Sequence, residues 1–401
     1  MAETRSPSWR WWLCGLLLLA SMINYMDRQT LANAAVRITK QFGLDQEHYG
    51  NLEFGFGWGF AAGSVVFGVM ADRISVRWLY PAVLLLWSIT GFATGLVKDY
   101  PQLLVCRIAL GLFEAGHWPC AIKTTQRVLD AKDRSMGNGL LQSGASVGAI
   151  VTPLIMRVLL TQELESWRIA FQIVGAVGLT WVPLWLWLVR SSDLRPDAAE
   201  HVNAPWADLV TRRMAVVLVV VALINTTWQT FRPWLTKFLI EGRGYAEGAA
   251  LNFNSLFFIG SDVGCVGAGA LALWLARKGL TVHRSRMMVF LMFSLLSATS
   301  LLIPMLPKGW PLLCVLLLVA AGSLGVFPVY HALTQDISAH HQGKVTGIAG
   351  IAAWGFSPPA QKFFGRIVDR TGSFDAGLAI AGCLPLLAFM VLLLFWNRRT
   401  E

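Results

Sequence analysis

Residues 11–36 read WWLCGLLLLASMINYMDRQTLANAAV, an apolar run with Asp27 and Arg28 at its centre. A helix of about 20 apolar residues crosses the roughly 30 Å hydrocarbon core of a bilayer, and this run is longer than that. It is too long for a secretory signal core, and no small-residue cleavage site closes it. It therefore reads as a retained first membrane helix. A carboxylate and a guanidinium in mid-span are costly, so their presence there is a functional hypothesis by default.

The same texture continues along the chain. Of 401 residues 55% are hydrophobic and only 14% charged, against about a quarter charged in soluble proteins. Eighteen Trp and twenty-two Phe add to the apolar load. Charges cluster in short stretches between long uncharged runs. The expected fold is an all-α membrane protein with twelve transmembrane helices. They are placed near 11–34, 51–71, 79–97, 102–124, 136–160, 169–189, 214–240, 250–276, 286–306, 311–334, 343–367 and 375–396. The six cysteines lie in apolar runs without CxxC spacing, as buried inert thiols do. No Walker loop, HExxH or GxSxG appears, so no enzyme, cofactor or metal site is expected. The net charge of +10 is spread over alternating loops rather than along one stripe, which argues against nucleic acid.

An even span count puts both termini on one side. The stretches RSSDLRPDAAEHVNAPWADLVTRR (190–213), ARKGLTVHRSR (276–286) and NRRTE (397–401) are strongly basic and share that side. The positive-inside rule makes it cytoplasmic. The longest loop, 190–213, contains Pro196 and Pro205 and reads as a cytoplasmic linker. It separates an N-terminal six-helix half, 1–189, from a C-terminal one, 214–401. Span four carries GHWPCAIKTTQ (116–126) and span ten GVFPVYHALTQ (325–335), which share Gly-x-x-Pro and a closing Thr-Gln. Matching segments six spans apart suggest duplicated halves, a device of transporters that bind at mid-membrane and alternate access.

Between spans two and three lies GVMADRISVR (68–77), with Gly68, Asp72 and Arg73. It resembles the Gly-x-x-x-Asp-Arg-x-Gly-Arg loop of the major facilitator superfamily, with Ser75 and Val76 departing from that pattern. A carboxylate at a helix end there can pair with Arg or face a helix N-terminus and hold one access state shut. The chain further resembles the anion:cation symporters of that superfamily. The resemblance rests on NYMDR (24–28), RIALGLFEAGHWP (107–119), QSGASVGAIVTP (142–153) and GKVTGIAGIAAW (343–354) through GRIVDRTGSF (365–374). GSDVGCVGAGAL (260–271) followed by SRMMV (285–289) is similar to hexuronate transporters. The resemblance implies uptake of an organic anion such as a sugar acid, driven by protons or sodium.

The mid-span charges then take roles. Arg107 and Glu114 are two turns apart on one helix face, with Gly111 between them expected to keep that face open and His117 and Trp118 extending it. An apolar setting disfavours an ionised carboxylate, so Glu114 and Asp27 are the candidates to load and release a proton. In the resembled family, acidic residues at these positions are associated with proton coupling. Asn24 and Tyr25 stand four and three residues before Arg28, so Arg28 can offer its fork beside them to a substrate carboxylate. Arg107 is placed to meet Asp27. Gln142 offers an amide to sugar hydroxyls. Trp354, Ser357 and Gln361 share one face of span eleven, with Trp354 a flat surface for a sugar ring; the resemblance to the family implies that Trp354 and Ser357 bind substrate. Arg232 is expected near a helix end with its charge reaching outward, and Asp262 with Lys362 as an ion pair or as cavity lining. Lipid is the expected partner besides the solute and its coupling ion, and twelve spans suffice for a monomer. A drug-efflux antiporter is the rival reading, weakened by the five-residue gap between Gly148 and Pro153 where such proteins carry a Gly-Pro pair. A ligand sensor is a second rival, which the short loops and tails disfavour.

Overall fold

The computed structural model describes residues 7–129, 133–194, 211–337 and 342–396. The described residues are helical, joined by short turns. In chain order the helices are α1 (Pro7–Phe42), α2 (Gln46–Arg73), α3 (Val76–Thr94), α4 (Tyr100–Glu114), α5 (His117–Val128), α6 (Arg134–Leu159) and α7 (Trp167–Leu188). They continue as α8 (Arg212–Lys237), α9 (Glu247–Arg277), α10 (Val282–Ala298), α11 (Trp310–Gly325), α12 (Phe327–Gln335), α13 (Gln342–Thr371) and α14 (Asp375–Phe395). Most of the linker expected at 190–213 lies outside the described residues.

Among the described residues fourteen helices make twelve spans, because spans four and ten are each broken. α4 stops at Glu114 and α5 starts at His117, while α11 stops at Gly325 and α12 starts at Phe327. Both breaks fall inside the repeated Gly-x-x-Pro segments. Pro119 and Pro328 lack the amide hydrogen that would bond the carbonyl four residues back, which weakens each helix beside Gly116 and Gly325. A continuous span was expected at each place; the structure divides both.

Local signals set the other ends. Asp99 accepts the Gln102 amide at 2.9 Å to start α4, with Pro101 in its first turn, and Thr211 accepts that of Met214 at 3.1 Å to start α8. Asp45 accepts the His48 amide at 2.7 Å to cap α2. α1 and α9 end where Gly43 and Gly279 take φ of 61° and 96°, a left-handed turn that only glycine adopts without strain.

Nine spans among the described residues are long and apolar enough to cross a membrane by composition alone. The three others are α1, α4 with α5, and α13, which carry Asp27 and Arg28, Arg107 and Glu114, and Lys362.

The chain forms two compact units. One comprises Met1–Leu44 with Gly55–His201, the other Asp45–Phe54 with Val202–Glu401. The boundary falls inside α2, whose first nine residues belong to the second unit. In the first unit α1 packs on α6 and α7, and α3 packs on α7 and α4. Gly55, Gly59 and Gly63 of α2 lie against Ile108 and Leu112 of α4, and Gly111 of α4 lies against the Phe56 backbone. This small-residue seam brings two helix backbones together as membrane helices commonly do. In the second unit α8 packs on α13 and α14, and α9 and α10 pack on α11. A core of Val217, Val220, Ile224, Phe290, Val326 and Tyr330 lies among these helices.

Candidate functional site

Four ionisable side chains of the first unit, two on α1 and two on α4, are buried in its interior. Arg28 and Arg107 are 4% and 0% exposed, and Asp27 and Glu114 are fully buried. Arg28 donates from Nε to Glu114 Oε2 at 2.5 Å and from Nη2 to Asn24 Oδ1 at 2.9 Å. The Asn24–Arg28 spacing of four is therefore realised as a hydrogen bond. The guanidinium also lies over the rings of Phe60, Tyr25 and Phe56 at 4.7, 5.2 and 5.5 Å. Three aromatic faces around one cation supply attraction without adding a second negative charge.

Glu114 is held by Arg28 of another helix. Arg107 lies over Phe56 at 4.5 Å. Gly111 does not keep that face open: α2 fills it, so a side chain there would strike the Phe56 backbone. The neighbour that covers this face of α4 is set by the α2–α4 seam.

Asp27 sits against α3, where a Cβ on Gly91 would come 2.8 Å from its Oδ1. Among the described residues neither carboxylate oxygen of Asp27 has a hydrogen-bond partner. Its charged neighbours are Glu114, Arg107 and Arg28. An ionised carboxylate without hydrogen bonds is costly to bury, which is the setting of a group that exchanges a small cation.

His117 follows Glu114 by three residues, at the start of α5. Its ring bridges two helices, with Nε2 2.9 Å from Ser21 Oγ of α1 and Nδ1 2.9 Å from the Tyr80 hydroxyl of α3. Tyr80 in turn packs on Trp181 and Trp185 of α7. These bonds hold the start of α5, and hence the break after Glu114, in place. A histidine three residues beyond a buried acid was the available signal; Ser21 and Tyr80 gave none.

Gln142 is exposed on α6, on a side other than the one where Gly144 and Gly148 pack on α1. The 68–77 loop is a two-residue turn between α2 and α3. Gly68 has open space where a Cβ would stand, Arg73 is exposed, and the Asp72 side chain lies outside the described residues. Basic side chains nearby bond helix-end carbonyls: Lys123 donates to Ala71 and Arg77 to Val189.

In the second unit Trp354 is half-buried against the apolar core. Ser357 is buried, donating to the Ala353 carbonyl at 2.7 Å and accepting from Asn225 Nδ2 at 2.8 Å. Gln361 accepts from Trp234 Nε1 at 2.7 Å and donates to the Gln229 carbonyl at 2.6 Å. Arg232 does not reach outward. It is 4% exposed and bonds Glu53 at 3.0 Å, because a buried carboxylate holds it more firmly than a distant interface. Lys362 has its Nζ 3.9 Å from Glu47.

Comparison with known proteins follows the same lines. The Major Facilitator Superfamily matches residues 17–360. A probable sulfoacetate transporter of Cupriavidus necator is 26% identical, the match covering 93% of this chain and 90% of that protein. A hexuronate transporter of Escherichia coli K12 is 22% identical over 96% and 93%. A probable L-galactonate transporter of the same organism is 24% identical over 92% and 85%. Among solved structures, a bacterial homologue of the human lysosomal transporter Spinster superposes with a TM-score of 0.80 at 16% identity, covering 98% of both chains. A D-xylose–proton symporter gives 0.75 at 15%, covering 96% and 97%.

Proposed function

The chain belongs to the Major Facilitator Superfamily, and from that premise we propose that it carries a sugar acid, a hexuronate or aldonate, across the inner (plasma) membrane together with protons. It is a multi-pass membrane transporter and not an enzyme. The observation that carries the finer reading is the Arg28–Glu114 pair at 2.5 Å. The Arg28 fork is occupied by Glu114 and Asn24. A proton arriving on Glu114 cancels its charge and frees the guanidinium for a substrate carboxylate, which it can grip with two parallel hydrogen bonds. Departure of the proton on the other side restores the pair and expels the anion. Proton and anion thus travel in one direction.

Asp27 is the second proton carrier in this scheme and Arg107 its counter-charge. Tyr25 lies beneath the Arg28 guanidinium, and Gln142 and Trp354 meet the sugar hydroxyls and ring. Ser357 contributes by orienting Asn225. The loop at Gly68, Asp72 and Arg73 gates one access state, both termini are cytoplasmic, and the six-helix halves are joined through 190–213. The names of the relatives support the anion class, since those reported act on sulfoacetate, hexuronates and L-galactonate.

Proteoliposomes test this. A panel of hexuronates, aldonates and aldarates is offered under an inward pH gradient and, separately, an inward sodium gradient. Accumulation of at least one sugar acid under the pH gradient is expected. Accumulation under sodium alone replaces the coupling ion; none under either removes the reading. Asp27→Asn is expected to abolish uphill accumulation while leaving exchange of internal for external substrate. Normal accumulation by that variant removes Asp27 from coupling.

A further inference from the structure

One turn of α1 and one of α3 carry five buried polar atoms that no neighbouring side chain or backbone group satisfies. Among the described residues Asn24 Nδ2, both carboxylate oxygens of Asp27, Trp87 Nε1 and Ser88 Oγ have no hydrogen-bond partner. All four side chains are fully buried. Each such atom costs free energy to bury, so five in one region call for a common explanation.

Helix register places them together. Gly91 stands against Asp27, and Trp87 and Ser88 precede it by four and three residues, on the same side of α3. A Cβ on Gly178 of α7 would meet both Ser88 Oγ and Ile23 of α1, one turn before Asp27. Asn24 precedes Asp27 by three residues. The Trp87 ring lies 5.9 Å from that of His117, which also meets Ser21, three residues before Asn24. A Cβ added at Gly91 would find within 4 Å, among the described residues and apart from the adjoining backbone of α3, only atoms of Asp27. The glycine thus leaves space beside the carboxylate, between the donors of α1 and those of α3.

The chemistry of the five atoms selects what fills that space. Trp87 Nε1 and Asn24 Nδ2 can only donate, an ionised Asp27 can only accept, and Ser88 does either. The Asn24 oxygen is engaged by Arg28 at 2.9 Å. An internal water has about three polar partners and takes both donors and acceptors. A hard cation such as sodium needs a shell of oxygens. Here it would face two N–H groups, with the Arg107 and Arg28 guanidiniums among the charged neighbours of Asp27. Glu114 is the remaining charged neighbour, and α3 brings only Trp87, Ser88 and Gly91.

We infer that α1 and α3 hold an internal water site, in which water accepts from Trp87 Nε1 and Asn24 Nδ2 and donates to the Asp27 carboxylate, with Ser88 as a further partner. The site takes its purpose from the transporter reading: it solvates Asp27 when ionised and gives sodium no seat there. Trp87, Ser88 and Asn24 are positioning residues that act on Asp27 through the water.

X-ray radiolytic labelling of the purified full chain tests the site without any substrate. The pulse makes hydroxyl radicals wherever water lies, so a tryptophan sealed from solvent is oxidised only by water beside it. Trp181 and Trp185 are the controls. Both are fully buried in the same unit, and their indole N–H groups donate to the Leu16 and Arg77 carbonyls at 2.8 and 2.9 Å. Trp87 is expected to be oxidised several-fold faster than either, equally in sodium chloride and in choline chloride. Gly91→Ala fills the space and is expected to bring Trp87 down to the rate of Trp181, with the two controls unchanged as the sign of an intact fold. Equal rates for the three tryptophans in the wild-type chain overturn the site, and a Trp87 rate that falls with sodium overturns it in favour of a cation. Trp87→Phe keeps the ring and removes the donor. Its gradient-driven uptake is expected to fall several-fold and its pH profile to move, at unchanged melting temperature; wild-type uptake and profile overturn the positioning role of Trp87. A labelled Trp87 in a protein that accumulates no sugar acid sinks the substrate reading and leaves the water site standing.

Discussion

Arg28 shows how much a single side chain can depend on others. Its amide partner Asn24 is four residues away in sequence, but its carboxylate partner Glu114 comes from another helix. Removing Glu114 would strand a buried cation at a cost of about 3–5 kcal/mol. Asp27 is constrained differently, by space. Gly91→Ala sets a methyl group 2.8 Å from Asp27 Oδ1, and relief requires a shift of the carboxylate or of α3, typically at about 1–3 kcal/mol. The expected outcome is a lower melting temperature and gradient-driven uptake reduced well beyond the loss of folded protein. Unchanged melting and uptake would show that Asp27 is not held against α3.

Helices in this protein meet through glycine where backbones are closest. Gly59 lies against the Ile108 carbonyl, whereas Gly68, in the loop that resembles a family signature, has nothing within 4 Å of an added Cβ. Gly59→Val is therefore expected to pry α2 from α4 and lower the melting temperature by several degrees, while Gly68→Ala leaves it unchanged. The reverse result would place the tight contact in the wrong seam. The start of α2 offers a pH test. Burial raises the Asp45 carboxyl, but hydrogen bonds from the His48 amide and ring and the His48 charge outweigh it, leaving Asp45 below its ordinary value of 3.8. A depressed carboxylate contributes stability above its unfolded value and loses it as pH falls through the folded one. Asp45→Ala is expected to cost about 1 kcal/mol of cap energy at pH 7, with the difference from wild type shrinking below about pH 4. Thermal melts at both pH values check it; a difference that is constant with pH rules out the charged cap.

The whole molecule wears its apolar residues outward. Trp187 is 80% and Trp310 79% exposed, while Trp181 and Trp185 are fully buried. Such a surface suits acyl chains and not water. In bilayers containing brominated lipid, Trp187→Phe is expected to remove more of the quenchable fluorescence than Trp181→Phe. Equal losses would mean that α7 does not present Trp187 to lipid. Among the described residues nine spans are apolar by composition alone, and the costly charges inside the spans, Asp27, Arg28, Arg107, Glu114, Glu53 and Arg232, are buried.

The sequence alone was enough for the class of protein, the twelve spans and the spacing that sets Asn24 one turn before Arg28, but not for the breaks after Glu114 and Gly325. What it determined follows from local chemistry: the length of an apolar run and the pitch of a helix. The partner of Glu114, the covering of Gly111, the bridging of His117 by Ser21 and Tyr80 and the burial of Arg232 were decided only by tertiary structure. Those depend on which face each helix turns toward a neighbour far away in the chain, and that rotation is set by packing of whole helix surfaces, which no local stretch encodes.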